Sequence, residues 1–95
     1  LEELILSFNL LRHLNSSHLN GLSNIQRLHL FNNNISLIAQ NTFCYMGKLE
    51  ILHLGKNHLQ RLHPDALRGL TSLKELYLNQ NFLAEINETV FDDLT

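Results

Sequence analysis

Histidine is the side chain with the most evident chemistry in this chain of 95 residues, which contains six histidines and a single cysteine. Imidazole can act as a general base, as a metal ligand or as a group that gains charge at about pH 5–6. His29 and His53 are the one pair of histidines that share a position in the internal repeat described below. Their shared position leaves two interpretations open: the pair is ordinary surface polarity, or it is a pH-sensitive patch whose two rings repel when both are charged.

Catalysis and metal binding both require partners that the sequence does not place beside these histidines. Cys44 falls at a different position of the repeat, no Ser lies in a Gly-x-Ser-x-Gly elbow, and no glycine-rich phosphate loop is present. The His63-Pro64-Asp65 segment consists of ordinary turn formers. A metal site would need a further carboxylate or thiolate near His29 and His53. We therefore expect no enzyme activity, no metal and no cofactor.

Composition narrows the kinds of partner. The net charge is −2 and the sequence pI is about 6.3, so the clearly basic patch that binds nucleic acid or an anionic membrane surface is not expected. Hydrophobic residues make up 44% of the chain, which is enough to form a core. No apolar run approaches the roughly 18 residues of a membrane-spanning helix, so we expect membrane attachment only through segments outside this chain.

The elements that position these residues follow from an internal repeat. Rows that cover 1–24, 25–48, 49–72 and 73–95 align without a gap. Seven columns of four rows give 28 sites, and all 28 hold an aliphatic residue, Met or Phe. At the overall apolar fraction this agreement arises by chance on the order of once in 10 billion. The repeat is therefore the organising feature of the chain.

Each row predicts one short strand followed by a turn. The fourth and sixth positions are Leu in every row, for example Leu28 and Leu30, so both side chains point to one face of a strand. Successive strands run in one direction and must pair into a parallel sheet, because a single repeat cannot bury its apolar face alone. The segment that returns from each turn is expected to be irregular, with short 3₁₀ or helical turns.

An invariant asparagine column follows the predicted strands. Its amide can satisfy backbone groups left unpaired where the chain turns, so we expect a buried ladder of stacked side chains. We expect Asn57→Ala to lower the free energy of unfolding by roughly 1–3 kcal/mol, because buried polar groups would lose their hydrogen-bond partners. The ladder consists of Asn9, Asn33, Asn57 and Asn81.

Together the columns spell LxxLxLxxNxLxxLxxxxFxxLxx, a pattern that resembles the leucine-rich repeat family in its typical extracellular class, whose repeats have this same length. The resemblance covers the whole chain and implies an α/β leucine-rich repeat solenoid. Such a solenoid is curved, with a parallel sheet on the concave face and an irregular or 3₁₀ convex side. It also implies one domain over 1–95 with four repeats. The pattern starts and stops in mid-repeat, and we expect a segment of a longer protein without its N- and C-terminal caps.

The resemblance implies a binding scaffold whose ligand contacts the concave face. The third, fifth and seventh positions of each row point away from the core, and the eighth lies at the margin of the strand. These columns are mixed in charge and contain aromatic residues, which suits a protein or glycan ligand. Phe31, His53 and Tyr77 should be near neighbours and act as anchors. The candidate partner-binding residues are Arg27, His29, Phe31, Ile51, His53, Lys56, Glu75, Tyr77 and Asn79.

Three Asn-x-Ser/Thr sequons begin at Asn15, Asn34 and Asn87, and we expect them at exposed sites that can carry glycans. With the class of repeat, they favour an extracellular or cell-surface location. Within the family, the chain resembles ectodomain segments of Toll-like receptors and of similar signalling receptors, some of which would dimerise. The alternative is a structural or adhesion array of a secreted matrix or cell-contact protein.

Overall fold

The computed structural model describes residues 2–19 and 21–83 of the chain. These residues form six short strands and one 3₁₀ helix, Ser16–Leu19, and no α-helix occurs within them. The strands are β1 (Glu3–Ile5), β2 (His13–Leu14), β3 (Arg27–His29), β4 (Leu37–Ile38), β5 (Ile51–His53) and β6 (Glu75–Tyr77).

The main sheet has the order β1-β3-β5-β6, and all of its pairs are parallel. Its register aligns Leu4 with Leu28, Leu28 with Leu52 and Leu52 with Leu76, so each partner lies one full repeat further along the chain. This confirms the parallel sheet and the stacking of the leucine columns that the repeat predicts.

The core lies behind the main sheet and is formed by the repeated apolar columns. Leu28, Leu30, Leu52 and Leu54 are completely buried, and Phe43 packs against them from the returning segment with no exposed surface. Full burial of an aliphatic or aromatic side chain stabilises a fold by about 1.5–3 kcal/mol. The stacked columns therefore fix which face of each strand points to solvent.

The returning segments of the first two repeats are more regular than the sequence predicts. Strands β2 and β4 form a separate parallel sheet in which His13 pairs with Leu37 and Leu14 with Ile38. The predicted 3₁₀ turn is present as Ser16–Leu19. A strand of two residues leaves almost no alternation in the sequence, which is why the pattern did not reveal this second sheet.

Asparagine side chains form a ladder beside the main sheet. Asn33 and Asn57 are buried, and the Asn57 Oδ1 accepts the N–H groups of Asn33 and Ile35, both at 3.1 Å. Asn81 continues the ladder in a half-buried position, where its Oδ1 accepts the Leu59 N–H at 3.0 Å.

Asn9 lies in the same column but is exposed, so the prediction of a buried ladder is wrong at this residue. Its Nδ2 donates to the carbonyls of Leu6 and Ser7 in its own repeat, at 2.8 and 3.3 Å. By contrast, Asn33 also donates across to Leu6 O of the preceding repeat, at 3.1 Å. The buried members Asn33 and Asn57 therefore bond across to the preceding repeat, whereas the Asn9 bonds stay within its own.

A left-handed residue precedes the asparagine of every repeat at the eighth position. Phe8, Asn32, Lys56 and Gln80 have φ angles of 62°, 57°, 52° and 59°. Residues other than Gly and Asn rarely adopt this backbone conformation. Phe8, Lys56 and Gln80 therefore give little sign of it in the sequence. The left-handed residue lies three positions beyond the end of each strand and sets the eighth side chain at the margin of the sheet.

Two glycines at the equivalent position of the first and third repeats are also left-handed. Gly21 has φ +87° with nothing within 4 Å of an added Cβ, whereas Gly69 has φ +95° and packs tightly against the backbone of Cys44. A Cβ at Gly69 would lie 2.7 Å from the Cys44 Cα. The third repeat therefore packs on the second through this glycine, and Cys44 itself is half-buried.

Candidate binding surface on the concave face

The outer face of the main sheet carries the candidate residues that the sequence predicts. Each three-residue strand alternates, with its central Leu more buried than the residues on either side. Arg27, His29, Phe31, Ile51 and His53 are half-buried, whereas Lys56, Glu75, Tyr77 and Asn79 are exposed or at the margin of the sheet. We call this surface the concave face.

Four rings form a continuous row across the concave face. Phe8 contacts Phe31 with ring centroids 5.7 Å apart, Phe31 contacts His53 edge to face at 4.9 Å, and His53 stacks on Tyr77 at 4.8 Å. We call these residues the ring cluster. The predicted proximity of Phe31, His53 and Tyr77 is confirmed, and Phe8 extends the row to the first repeat.

Gly55 makes room for the ring cluster. A Cβ at this residue would lie 2.7 Å from the His53 Cε1, 2.9 Å from the Asn79 Oδ1 and 3.2 Å from the Phe31 Cδ1. The Gly55 N–H also donates to the His53 Nδ1 at 3.1 Å, which fixes the tautomer of the neutral ring with its proton on Nε2. Sequence reasoning missed Gly55; the available signal was a glycine in the same column as Phe31 and Asn79.

A charged group lies beside the ring cluster on β1 and β3. The Glu3 carboxylate contacts the His29 Nε2 at 2.7 Å and the Arg27 Nε at 3.4 Å. The hydrogen bond from His29 and the charge of Arg27 lower the pKa of Glu3. Glu3 was not among the predicted site residues, although it lies one repeat before Arg27 in the same column.

Two further polar contacts border the ring cluster. The Lys56 Nζ lies 5.7 Å from the centroid of the Phe31 ring, a cation–π arrangement. The Tyr77 hydroxyl donates to Glu75, and this bond raises the pKa of Tyr77. The ring cluster therefore has an ammonium group beside Phe31 and a carboxylate beside Tyr77.

The two histidines of the predicted pair lie opposite each other, because His29 and His53 are register partners on β3 and β5. Partial burial lowers the pKa of His53, and the charge of His29 lowers it further. Across residues 2–19 and 21–83, no group of three or more His, Cys, Asp or Glu side chains is arranged to hold a metal ion.

The sequons do not include the residues of the ring cluster, and they differ in their surroundings. The sequence predicts exposed sequons, but Asn15 and Asn34 are half-buried. Asn87 lies outside the described residues. The Asn15 Oδ1 accepts the Ser17 N–H at 3.1 Å, and the Asn34 Oδ1 lies 3.2 Å from the His58 Nε2. In both residues the carbonyl oxygen of the amide is engaged, and the glycan acceptor would be the Nδ2 atom.

A parallel sheet with a stacked leucine core, an asparagine ladder and an open outer face defines a repeat scaffold for interaction with other molecules. The family model described as leucine rich repeat matches residues 1–59 and again 47–95. The chain therefore belongs to the leucine-rich repeat family, whose repeats are generally non-enzymatic modules that bind proteins. No curated protein matches the chain at a significant level. Within the part that the structure describes, no helix is long and apolar enough to span a bilayer.

Proposed function

We propose that this chain is the ligand-binding segment of a cell-surface receptor of the innate-immune or signalling type, and that it binds a protein through the concave face. The observation that supports this proposal is the ring cluster. It places aromatic side chains on a solvent-facing sheet where the fold itself gains little from them. Phe8 is 72% exposed and Tyr77 is 39% exposed.

The composition of the concave face matches that of energetically important protein interfaces. Such interfaces have aromatic anchors at the centre and polar groups at the rim. Here Phe31 and His53 are half-buried at the centre, while Lys56 and Glu75 lie to the sides. Because the rings already hold one another in place, a partner would immobilise few additional side-chain torsions on binding.

The test compares two exposed tyrosines in a binding screen. The purified chain is immobilised and probed with a panel of individually purified secreted proteins and ectodomains. For a protein that binds, Tyr77→Ala should weaken binding about tenfold or more, as expected for an aromatic anchor. Tyr45→Ala is the matched control, because Tyr45 is 77% exposed and lies outside the main sheet. Equal effects of the two substitutions would refute binding through the concave face.

The cell-surface location needs a separate test on the endogenous protein. Surface biotinylation of intact cells, followed by capture with an antibody against this chain, should recover the protein. An amidase that hydrolyses the side-chain amide bond between Asn and the glycan, used in ¹⁸O water, should then release the glycosylamine and convert glycosylated Asn15, Asn34 or Asn87 to labelled Asp. A protein found only inside permeabilised cells, with all three asparagines unmodified, would refute the extracellular proposal.

A structural or adhesion array remains the second candidate function. It is favoured by the way the acidic groups of the concave face bond within the chain, since Glu3 contacts both Arg27 and His29, and Glu75 accepts the Tyr77 hydroxyl hydrogen. The full-length reading frame separates the two candidates. A membrane-spanning helix followed by an intracellular signalling domain supports the receptor, and a secreted ending with Cys-rich caps supports the array.

A further inference from the structure

His53 occupies the central place in the ring cluster. Its ring contacts Phe31 on one side and stacks on Tyr77 on the other, with an interplanar angle of 23° to the tyrosine. Its Nδ1 accepts the Gly55 N–H at 3.1 Å, a bond that exists only while this nitrogen keeps its lone pair. A proton added to Nδ1 would face an N–H donor, so the ring would have to turn away.

Basic residues beside His53 oppose a positive charge on its ring. From β3 it faces His29, its register partner, with Arg27 on the same strand. The residue after Gly55 is Lys56, a further cation. The two carboxylates of the concave face bond to other side chains: Glu3 contacts His29 and Arg27, and Glu75 accepts the hydroxyl hydrogen of Tyr77.

A neutral amide and an aromatic ring lie on the Gly55 side of His53. The Asn79 Oδ1 points to the space above Gly55, where an added Cβ would lie 2.9 Å from it. The Phe31 ring already has the Lys56 ammonium group near its face. Burial and His29 together lower the pKa of His53, in agreement with this geometry.

We propose that His53 acts as a pH-dependent latch of the ring cluster: its protonation breaks the Gly55 hydrogen bond and the Tyr77 stack, and a partner held by the cluster is released in mildly acidic surroundings. The release of a partner rests on the proposed binding function. The opening of the cluster does not, because it is a property of the chain alone.

The experiment follows the ring cluster by NMR in the ligand-free chain between about pH 8 and pH 4.5. Three signals report on the latch: the His53 ring nitrogens, the Gly55 amide proton and the Tyr77 ring protons. We expect all three to change with one common midpoint below 6.5, the ordinary value for His. Contacts between the His53 and Tyr77 rings, measured as nuclear Overhauser effects, should disappear over the same range.

Two substitutions separate the latch from general effects of pH. His53→Phe keeps a ring but cannot titrate, so the Tyr77 signals should stay constant over this pH range. His63→Phe is the matched control, because the His63 Nδ1 also accepts an N–H two residues ahead, from Asp65 at 3.0 Å, but His63 is exposed. This control should retain the full transition at Tyr77.

The proposal is overturned if Gly55 and Tyr77 do not share a midpoint with His53, if the midpoint is 6.5 or higher, or if His53→Phe retains the transition. For an ectodomain found in the screen, Kd should increase about tenfold from pH 7.5 to pH 5, and less than about twofold in His53→Phe. A screen without any binder would refute the binding function while the ring transition could still be present.

Discussion

Replacement of Asn57 by alanine tests the asparagine ladder at its most buried member. Asn57 is only 2% exposed. Its Oδ1 is the acceptor for the N–H groups of Asn33 and Ile35, each at 3.1 Å. In Asn57→Ala both donors would lose this acceptor inside the protein.

The size of the loss follows from these two N–H groups. A buried donor left without a partner costs about 1–3 kcal/mol, so two of them cost about 2–6 kcal/mol. The Leu30 carbonyl would also lose the Asn57 Nδ2 as a donor. This adds little to the free-energy loss, because the same carbonyl still accepts from the Asn33 Nδ2 at 3.0 Å. The structure therefore raises the expected loss above the estimate of roughly 1–3 kcal/mol that the sequence supports.

Urea unfolding of the chain, followed by circular dichroism, measures the free energy of unfolding of each variant. Asn9→Ala is the matched control. Because Asn9 is exposed, this substitution should lower the free energy of unfolding by less than about 1 kcal/mol. Asn81→Ala, at a half-buried site where Oδ1 accepts one N–H, should lie between the two. A loss at Asn57 no larger than that at Asn9 would refute the ladder as a source of stability.

Two further predictions concern backbone packing and pH. Gly69→Ala should destabilise the chain by about 2–5 kcal/mol, because the residue is left-handed and an added Cβ also meets the Cys44 backbone. Gly21→Ala should destabilise it by about 1–2 kcal/mol, because Gly21 is left-handed but has open space around it. Equal shifts of the urea midpoint would contradict this difference. Acidification below about pH 6.5 should lower the free energy of unfolding, since the pKa of His53 is lower in the folded chain and the unfolded chain then binds more protons. His53→Phe should remove this dependence, while a further loss below about pH 4.5 should persist because folding lowers the pKa of Glu3. Urea midpoints measured as a function of pH check both expectations.

The parts of the structure that depend on one strict spacing were predictable from the sequence. Leu28 and Leu52 stack because they are one repeat apart, and this register also places His29 opposite His53. Since side chains alternate along a strand, the inward leucines determined which residues face outward. Phe31 could thus be assigned to the candidate surface before any coordinates were known.

Features that depend on contacts between different columns were not predictable. The role of Gly55 arises from the His53 ring meeting Phe31 and Asn79 above it, and His53 belongs to the fifth column whereas Phe31, Gly55 and Asn79 belong to the seventh. The contact between Glu3 and His29 likewise joins the third position of one repeat to the fifth position of the next. Periodicity describes how each column stacks on itself, and it contains no information about which neighbouring columns touch.

The left-handed turn at the eighth position has a consequence for diversification. The backbone conformation is the same whether the residue is Phe8, Asn32, Lys56 or Gln80, so the turn accepts an aromatic, an amide or a cationic side chain. All four residues are unbranched at Cβ, so an exchange among them keeps the same left-handed backbone, whereas a β-branched residue there would be strained. Evolution, or a library built by an engineer, can therefore vary this margin of the concave face one repeat at a time, changing what is recognised while the leucine core remains intact.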